Sequence, residues 1–197
     1  AIAISNSLSK LLEALFMPEL NAADVESDYR QFGFKAGHST ALCTSVLKRA
    51  VDYYTMRGSH VFTCFVDFTK AFDRVNYWKL FSMLLGDNVN SRIVSLLAYW
   101  YSRQTVCVRW HACKSAYFAI GNGTRQGGVI SPVLFARYVK GLLIKLSSNR
   151  NGCNVTGCMI NVLAYADDIV LCAPSWRGLQ QLIDLLAIES SNIDMIM

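Results

Sequence analysis

Asp167 and Asp168 stand side by side between two apolar runs, Met159 to Ala164 and Ile169 to Ala173. Two short apolar runs split by a carboxylate pair read as a β-hairpin with the acids at its tip. Adjacent carboxylates repel, and each loses hydration when half buried. A bound divalent cation makes the arrangement favourable. A solvated acidic turn avoids the problem. Taken alone, the stretch leaves both readings open. A third carboxylate, Asp67, ends the nearly continuous apolar run Val61 to Val66. That run reads as a central strand covered on both faces, where a lone carboxylate is costly unless paired or metal-bound. An antiparallel sheet can bring this strand end beside the hairpin tip. Asp67, Asp167 and Asp168 would then share two metal ions about 3.5–4 Å apart, as two-metal phosphoryl transfer requires. Mg2+ suits all-oxygen ligands, with Mn2+ as a substitute, and the Phe68 carbonyl is a further ligand candidate.

The surrounding pattern predicts the elements that must position these groups. Leu8, Leu11, Leu12 and Leu15 recur at helical spacing over Ser5 to Leu15, and Met17-Pro18 ends that helix. Residues 21–28 read as an acidic loop. Ser39 or Thr40 caps a helix running to about Met56, closed by Arg57-Gly58-Ser59. Asn76 caps a helix to Leu85, a second covers Ser91 to Ser102, and Thr105–Trp110 with Ala116–Ile120 forms a hairpin. A glycine-rich loop, Gly121 to Gly128, leads through Val129-Ile130 to Ser131-Pro132, a strong helix start. That helix runs to about Ser147, with Arg137, Lys140 and Lys145 on its polar face. Residues 149–157 read as a turn, and Leu179 to Ile188 as a final amphipathic helix. The order implies one domain of α+β class, a sheet backed by helices.

Composition narrows the function. The 197 residues are 53% hydrophobic and 17% charged, more apolar than an average soluble domain. Part of the surface is therefore expected to be covered by a partner or another segment. No apolar run reaches the roughly 18 residues a membrane span needs. No basic n-region opens the chain, so secretion is not expected. Seven cysteines lack zinc-site spacing and read as reduced thiols of an intracellular protein. Residues 30–164 carry seventeen Lys and Arg against four acids, between acidic ends. A basic middle around an acidic site fits a polyanion-binding surface.

Four blocks now align with one family. Gln31-Phe32-Gly33-Phe34 through Ser39-Thr40, Phe65-Val66-Asp67-Phe68-Thr69-Lys70-Ala71-Phe72-Asp73, Gly123 through Pro132, and Tyr165-Ala166-Asp167-Asp168 follow in order. Together they resemble the reverse transcriptase domain of non-LTR (LINE-type) retrotransposons. The resemblance implies a right-hand polymerase palm with partial fingers and the thumb missing. Residues 1–60 would form the finger-to-palm segment and 61–197 the palm. It makes Asp67 and Asp167 the principal metal ligands and Asp168 the auxiliary carboxylate. Phe72, five residues beyond Asp67, falls where the family keeps a ring against the sugar, which favours dNTPs over NTPs. Viral RNA-dependent RNA polymerases resemble this palm but place an Asp there. Here Asp73 comes one step late and takes a structural role. Gln126 and Gly127 would approach the incoming nucleotide and templating pair. Arg125 is a candidate for phosphate or template contact, with Lys35 and Lys70 as weaker nucleic-acid contacts.

The implied reaction is RNA-directed DNA synthesis with two Mg2+ ions, dNTPs, an RNA template and a DNA primer, in an intracellular ribonucleoprotein of nucleus or cytoplasm. The remaining fingers, the thumb and an endonuclease are expected elsewhere in a longer polyprotein, so this piece alone is expected to be inactive. A non-catalytic relic is the alternative of a different class, and an intron-encoded or telomerase-like reverse transcriptase shares the palm.

Overall fold

The computed structural model describes residues 5–22, 30–125 and 127–197. In chain order the elements are α1 (Ser7–Ala22), α2 (Thr40–Thr55), β1 (Phe62–Val66), α3 (Ala71–Arg74), α4 (Tyr77–Gly86), α5 (Ser91–Tyr101), β2 (Thr105–Val106), β3 (Arg109–Trp110), β4 (Cys113–Lys114), β5 (Phe118–Ala119), α6 (Ser131–Ser148), β6 (Cys153–Val155), β7 (Cys158–Ile160), β8 (Val162–Tyr165), β9 (Asp168–Ala173) and α7 (Trp176–Asn192). They fall into two units that interleave along the chain, residues 1–25 with 72–134 and residues 26–71 with 135–197. No helix among the described residues is long and apolar enough to cross a membrane.

The second unit is built on a three-stranded antiparallel sheet ordered β1-β9-β8. Every residue from Ile169 to Ala173 is buried, so β9 is the central strand. Helix α7 packs against β9 and β1, and α2 against β8. Phe32, Leu163 and Val170 form a cluster with Val46 and Leu47 of α2. Each fully buried side chain of this kind contributes roughly 1.5–3 kcal/mol. The outer edge of β8 is covered by residues 30–32: Ala164 N donates to Arg30 O and Phe32 N to Ala164 O, both at 2.8 Å. The apolar run before Asp67 departs from expectation. β1 is an edge strand, and Phe62, Thr63 and Phe65 are exposed. An uninterrupted apolar run does not distinguish a strand sealed on both faces from one with an open edge.

Caps hold α2 and α4 where the sequence placed them, while α7, capped by Ser175, is longer at both ends than the expected Leu179–Ile188. Ser39 Oγ accepts from Leu42 N, Asn76 Oδ1 from Trp78 N and Lys79 N, and Ser175 Oγ from Gly178 N. Fully buried Asn161 closes α6 by donating to Leu146 O and Asn149 O. Within the expected turn of residues 149–157 the chain already forms strand β6. It pairs with β7 through Thr156 and Gly157, both at positive φ, the signature of a tight hairpin turn. Arg137, expected on the polar face of α6, is buried.

In the first unit, α4 packs on α5, and the expected hairpin forms as β2 with β5 and β3 with β4. Helix α1 departs from expectation twice. It runs through Pro18 to Ala22. An interior proline costs about 3 kcal/mol, an amount that burying Phe16 and Leu20 can offset. Its leucine stripe, Leu8, Leu11, Leu12 and Leu15, is exposed, while Glu13, Phe16 and Leu20 are buried. The buried stripe is the one carrying a carboxylate that has hydrogen-bond partners.

Candidate active site

Strand pairing brings the three carboxylates of the second unit together. β1 runs antiparallel to β9 from Phe62 opposite Ala173 to Val66 opposite Ile169. Continued one step, that register sets Asp67 opposite Asp168. In the β8–β9 hairpin Tyr165 pairs with Asp168, leaving Ala166 and Asp167 as the two-residue loop. Asp67 and Asp168 are exposed and Asp167 is half-buried. Asp67 therefore keeps its hydration, contrary to the buried strand end expected of it. Burial pushes the Asp167 carboxyl above the usual carboxylate range. The charges of Asp168 and Asp67 push the same way, against a backbone hydrogen bond that lowers it. Asp167 thus senses both other carboxylates, one of them a hundred residues away in sequence.

A loop this short needs positive φ at one or both central residues to follow the twist of the strands. Ala166 supplies it with φ 59°, which strains a side chain bearing a Cβ. Gln31 holds that conformation. Its Oε1 accepts from Ala166 N and Gly33 N, both at 2.9 Å, and its Nε2 donates to Ala166 O at 3.1 Å. The side chain is only 3% exposed. A Cβ on Gly33 would lie 2.4 Å from Ala166 N, so only glycine lets the two backbones approach this closely. Gly33 could be read from the sequence as a position allowing close backbone approach or positive φ, and the close approach is what it supplies. The role of Gln31 was not visible there, because a glutamine beside a glycine carries no signal of what it will bond.

Other candidates of this unit are placed as follows. The Phe68 ring is buried and anchors the segment after Asp67, and Thr69 N donates to Ile196 O at 2.8 Å. Lys35 is half-buried, and Lys70 is exposed at φ 52°. Among the described residues no group of three or more His, Cys, Asp and Glu side chains is placed to hold a metal ion. Mg2+ held by one or two carboxylates, water and substrate phosphates requires no such group. Three carboxylates at one strand end, two of which raise the proton affinity of the third, form a donor set that suits it.

The first unit holds the remaining candidates. Phe72 is half-buried, and its carbonyl accepts from Thr124 N, while Val75 O accepts from Gly123 N, both at 2.8 Å. Gly123 has φ 97°, and a Cβ there would lie 2.8 Å from Asp73 Cα. The segment bearing Phe72 and the glycine-rich loop are therefore joined backbone to backbone. Gly127 is exposed at φ 95°, and Gln126 lies outside the described residues. Glu13, 2% exposed, accepts from Val129 N and, at 3.4 Å, from Ile130 N, fixing the far end of the loop. Arg125 does not present a free guanidinium. It donates from Nε to Gln104 Oε1 and from an Nη to Ser9 Oγ, each at 3.0 Å, and lies 5.3 Å over the Trp100 ring. Its Nε and one Nη thus tie residues of the same unit together.

The sequence family described as "Reverse transcriptase (RNA-dependent DNA polymerase)" matches residues 1–195. The chain belongs to that family. This reverse transcriptase chain is 27% identical over 186 residues to the Pol polyprotein of the type-2 retrotransposable element R2DM of Drosophila melanogaster, covering 93% of the chain and 17% of that protein. It is 30% identical over 198 residues to the probable RNA-directed DNA polymerase from transposon BS of the same fly, covering 94% of the chain and 21% of that protein. The resemblance to non-LTR retrotransposon reverse transcriptases read from the motifs is thus borne out. The chain spans about a fifth of the length of these relatives. Apo telomerase from Candida tropicalis, truncated of its C-terminal domain, superposes with a TM-score of 0.65 at 13% identity, over 94% of this chain and 38% of that one. That likeness bears out the right-hand polymerase fold of the reverse transcriptase chain.

Proposed function

We propose that this chain is the catalytic palm of an RNA-directed DNA polymerase of a non-LTR retrotransposon, extending a DNA primer with dNTPs on an RNA template. One observation carries the reading: Asp67 and Asp167, from segments a hundred residues apart, meet at one end of a sheet closely enough for Asp67 to raise the Asp167 pKa. Asp67, Asp167 and Asp168 would hold Mg2+, with the Phe68 carbonyl as a further ligand. Bound there, the ions would supply Lewis-acid activation of the primer 3′-hydroxyl and charge neutralisation at the triphosphate. Phe72 would set its ring against the sugar of the incoming nucleotide, favouring dNTPs over NTPs. The exposed Gly127 would let a nucleotide approach the backbone, with Gln126 as the other candidate for that contact. Lys35 and Lys70 are candidate contacts to nucleic acid. The remaining fingers, thumb and RNA-binding parts belong to a longer protein.

The test uses the full-length element protein in primer extension on RNA with Mg2+. Asp67→Ala and Asp167→Asn should each lower dNTP incorporation about 10³-fold, the loss of several kcal/mol of transition-state stabilisation. Retained polymerisation by either variant would overturn the assignment, and an inactive parent protein would mark a relic. Phe72→Ala should lower the preference for dNTP over NTP at least about tenfold, read as the ratio of kcat/KM values.

A further inference from the structure

The hairpin tip contains a residue that does not favour its own conformation. Ala166 sits at φ 59° immediately before Asp167. Left-handed backbone costs a non-glycine residue roughly 1–2 kcal/mol, so something must hold it. Two hydrogen bonds from one side chain do. Gln31 accepts from the Ala166 amide and donates to the Ala166 carbonyl, while its Oε1 also accepts from Gly33 N. The side chain is buried, and its amide cannot turn over without putting a donor against Ala166 N and Gly33 N. The backbone carrying it is itself fixed to β8 through Arg30 O and Phe32 N. Gly33 leaves no room for the turn to shift, since even a methyl group would meet Ala166 N.

We propose that Gln31 is the positioning residue of the catalytic turn: its amide locks Ala166 in the left-handed conformation and thereby aims Asp167 and Asp168 at the site they share with Asp67. This rests on the metal-binding reading of those carboxylates and adds the device that preorganises them. A glutamine suits the task because it offers an acceptor and a donor at fixed separation, matching one peptide's N–H and C=O. Methionine has the same reach and offers neither. When the clamp is removed, Ala166 relaxes toward negative φ and the two carboxylates rotate away from Asp67. Loss of a partner that orients metal ligands typically weakens metal binding 10–100-fold.

The experiment uses this chain with Mn2+ alone as the probe, read by electron paramagnetic resonance, and amide hydrogen exchange read by NMR. In Gln31→Met the Ala166 amide should exchange at least about tenfold faster while the Val170 amide in β9 keeps its protection. Mn2+ affinity should fall about tenfold. Adding Ala166→Gly, which takes positive φ freely, should recover at least about threefold of that affinity. A residue that only stabilised the fold would loosen Val170 together with Ala166 and would not be rescued by Ala166→Gly, so either result overturns the proposal. Wild-type Mn2+ affinity in Gln31→Met also overturns it, provided Asp167→Asn binds Mn2+ more weakly than wild type. If Asp167→Asn binds as well as wild type, the metal reading itself falls and takes the proposal with it. Should Gln31→Met fail to fold, Gln31→Asn, one methylene too short to reach both Ala166 groups, carries the same expectations.

Discussion

Strands β1 and β9 pair with each other over five residues, carry similar apolar runs and bring carboxylates to the same end of the sheet. They are built to opposite specifications. β9 lies between two strands with Ile169 to Ala173 all buried, while β1 is an edge with Phe65 74% exposed. Their acids differ in the same sense: Asp67 is exposed, whereas Asp167 is half-buried and has a raised pKa. The difference teaches that the two sides of the acidic site are held by different means. The β9 side is fixed by core packing and by the Gln31 clamp on Ala166. The β1 side is fixed by the ladder to β9, by the buried Phe68 ring and by the bond from Thr69 N to Ile196 O.

Core truncation should separate the strands most strongly. Leu171 is fully buried in β9, and Leu171→Ala should cost about 2–5 kcal/mol in urea denaturation. Phe65→Ala on the exposed face of β1 should stay within about 0.5 kcal/mol. Equal losses would mean that β1 is as sealed as β9 and would erase the comparison.

The smaller effect concerns the acids themselves. Asp167 has its folded pKa raised, so the stability it contributes is present at low pH and lost as pH rises through that raised value. Asp167→Asn removes the loss. Its melting temperature should match wild type at strongly acidic pH and exceed it by about 1–3 °C at neutral pH without divalent metal. Asp67→Asn, at an exposed position, should move the melting temperature less. Adding Mg2+ should raise the melting temperature of wild type and not of Asp167→Asn. A neutral-pH melting temperature below wild type in Asp167→Asn would show that repulsion at the tip is not what destabilises it.

The sequence by itself determined a good part of this protein. Hydrophobic periodicity and caps at Ser39 and Asn76 placed helices α2 and α4, because a cap bonds backbone groups within its own turn and needs no distant partner. Ser131-Pro132 placed the start of α6 for the same local reason. Two apolar runs around Asp167-Asp168 gave the acidic hairpin, and the motif order gave the family. The tertiary structure alone decided which apolar run became the central strand and which face of α1 turned inward. It tied Arg125 to Gln104 and Ser9 and set it over the Trp100 ring. It also assigned Gln31 to Ala166, 135 residues away. Each of these outcomes depends on a partner supplied by a distant segment. A local pattern states that a side chain is apolar, charged or able to hydrogen-bond, and only folding determines what stands opposite it.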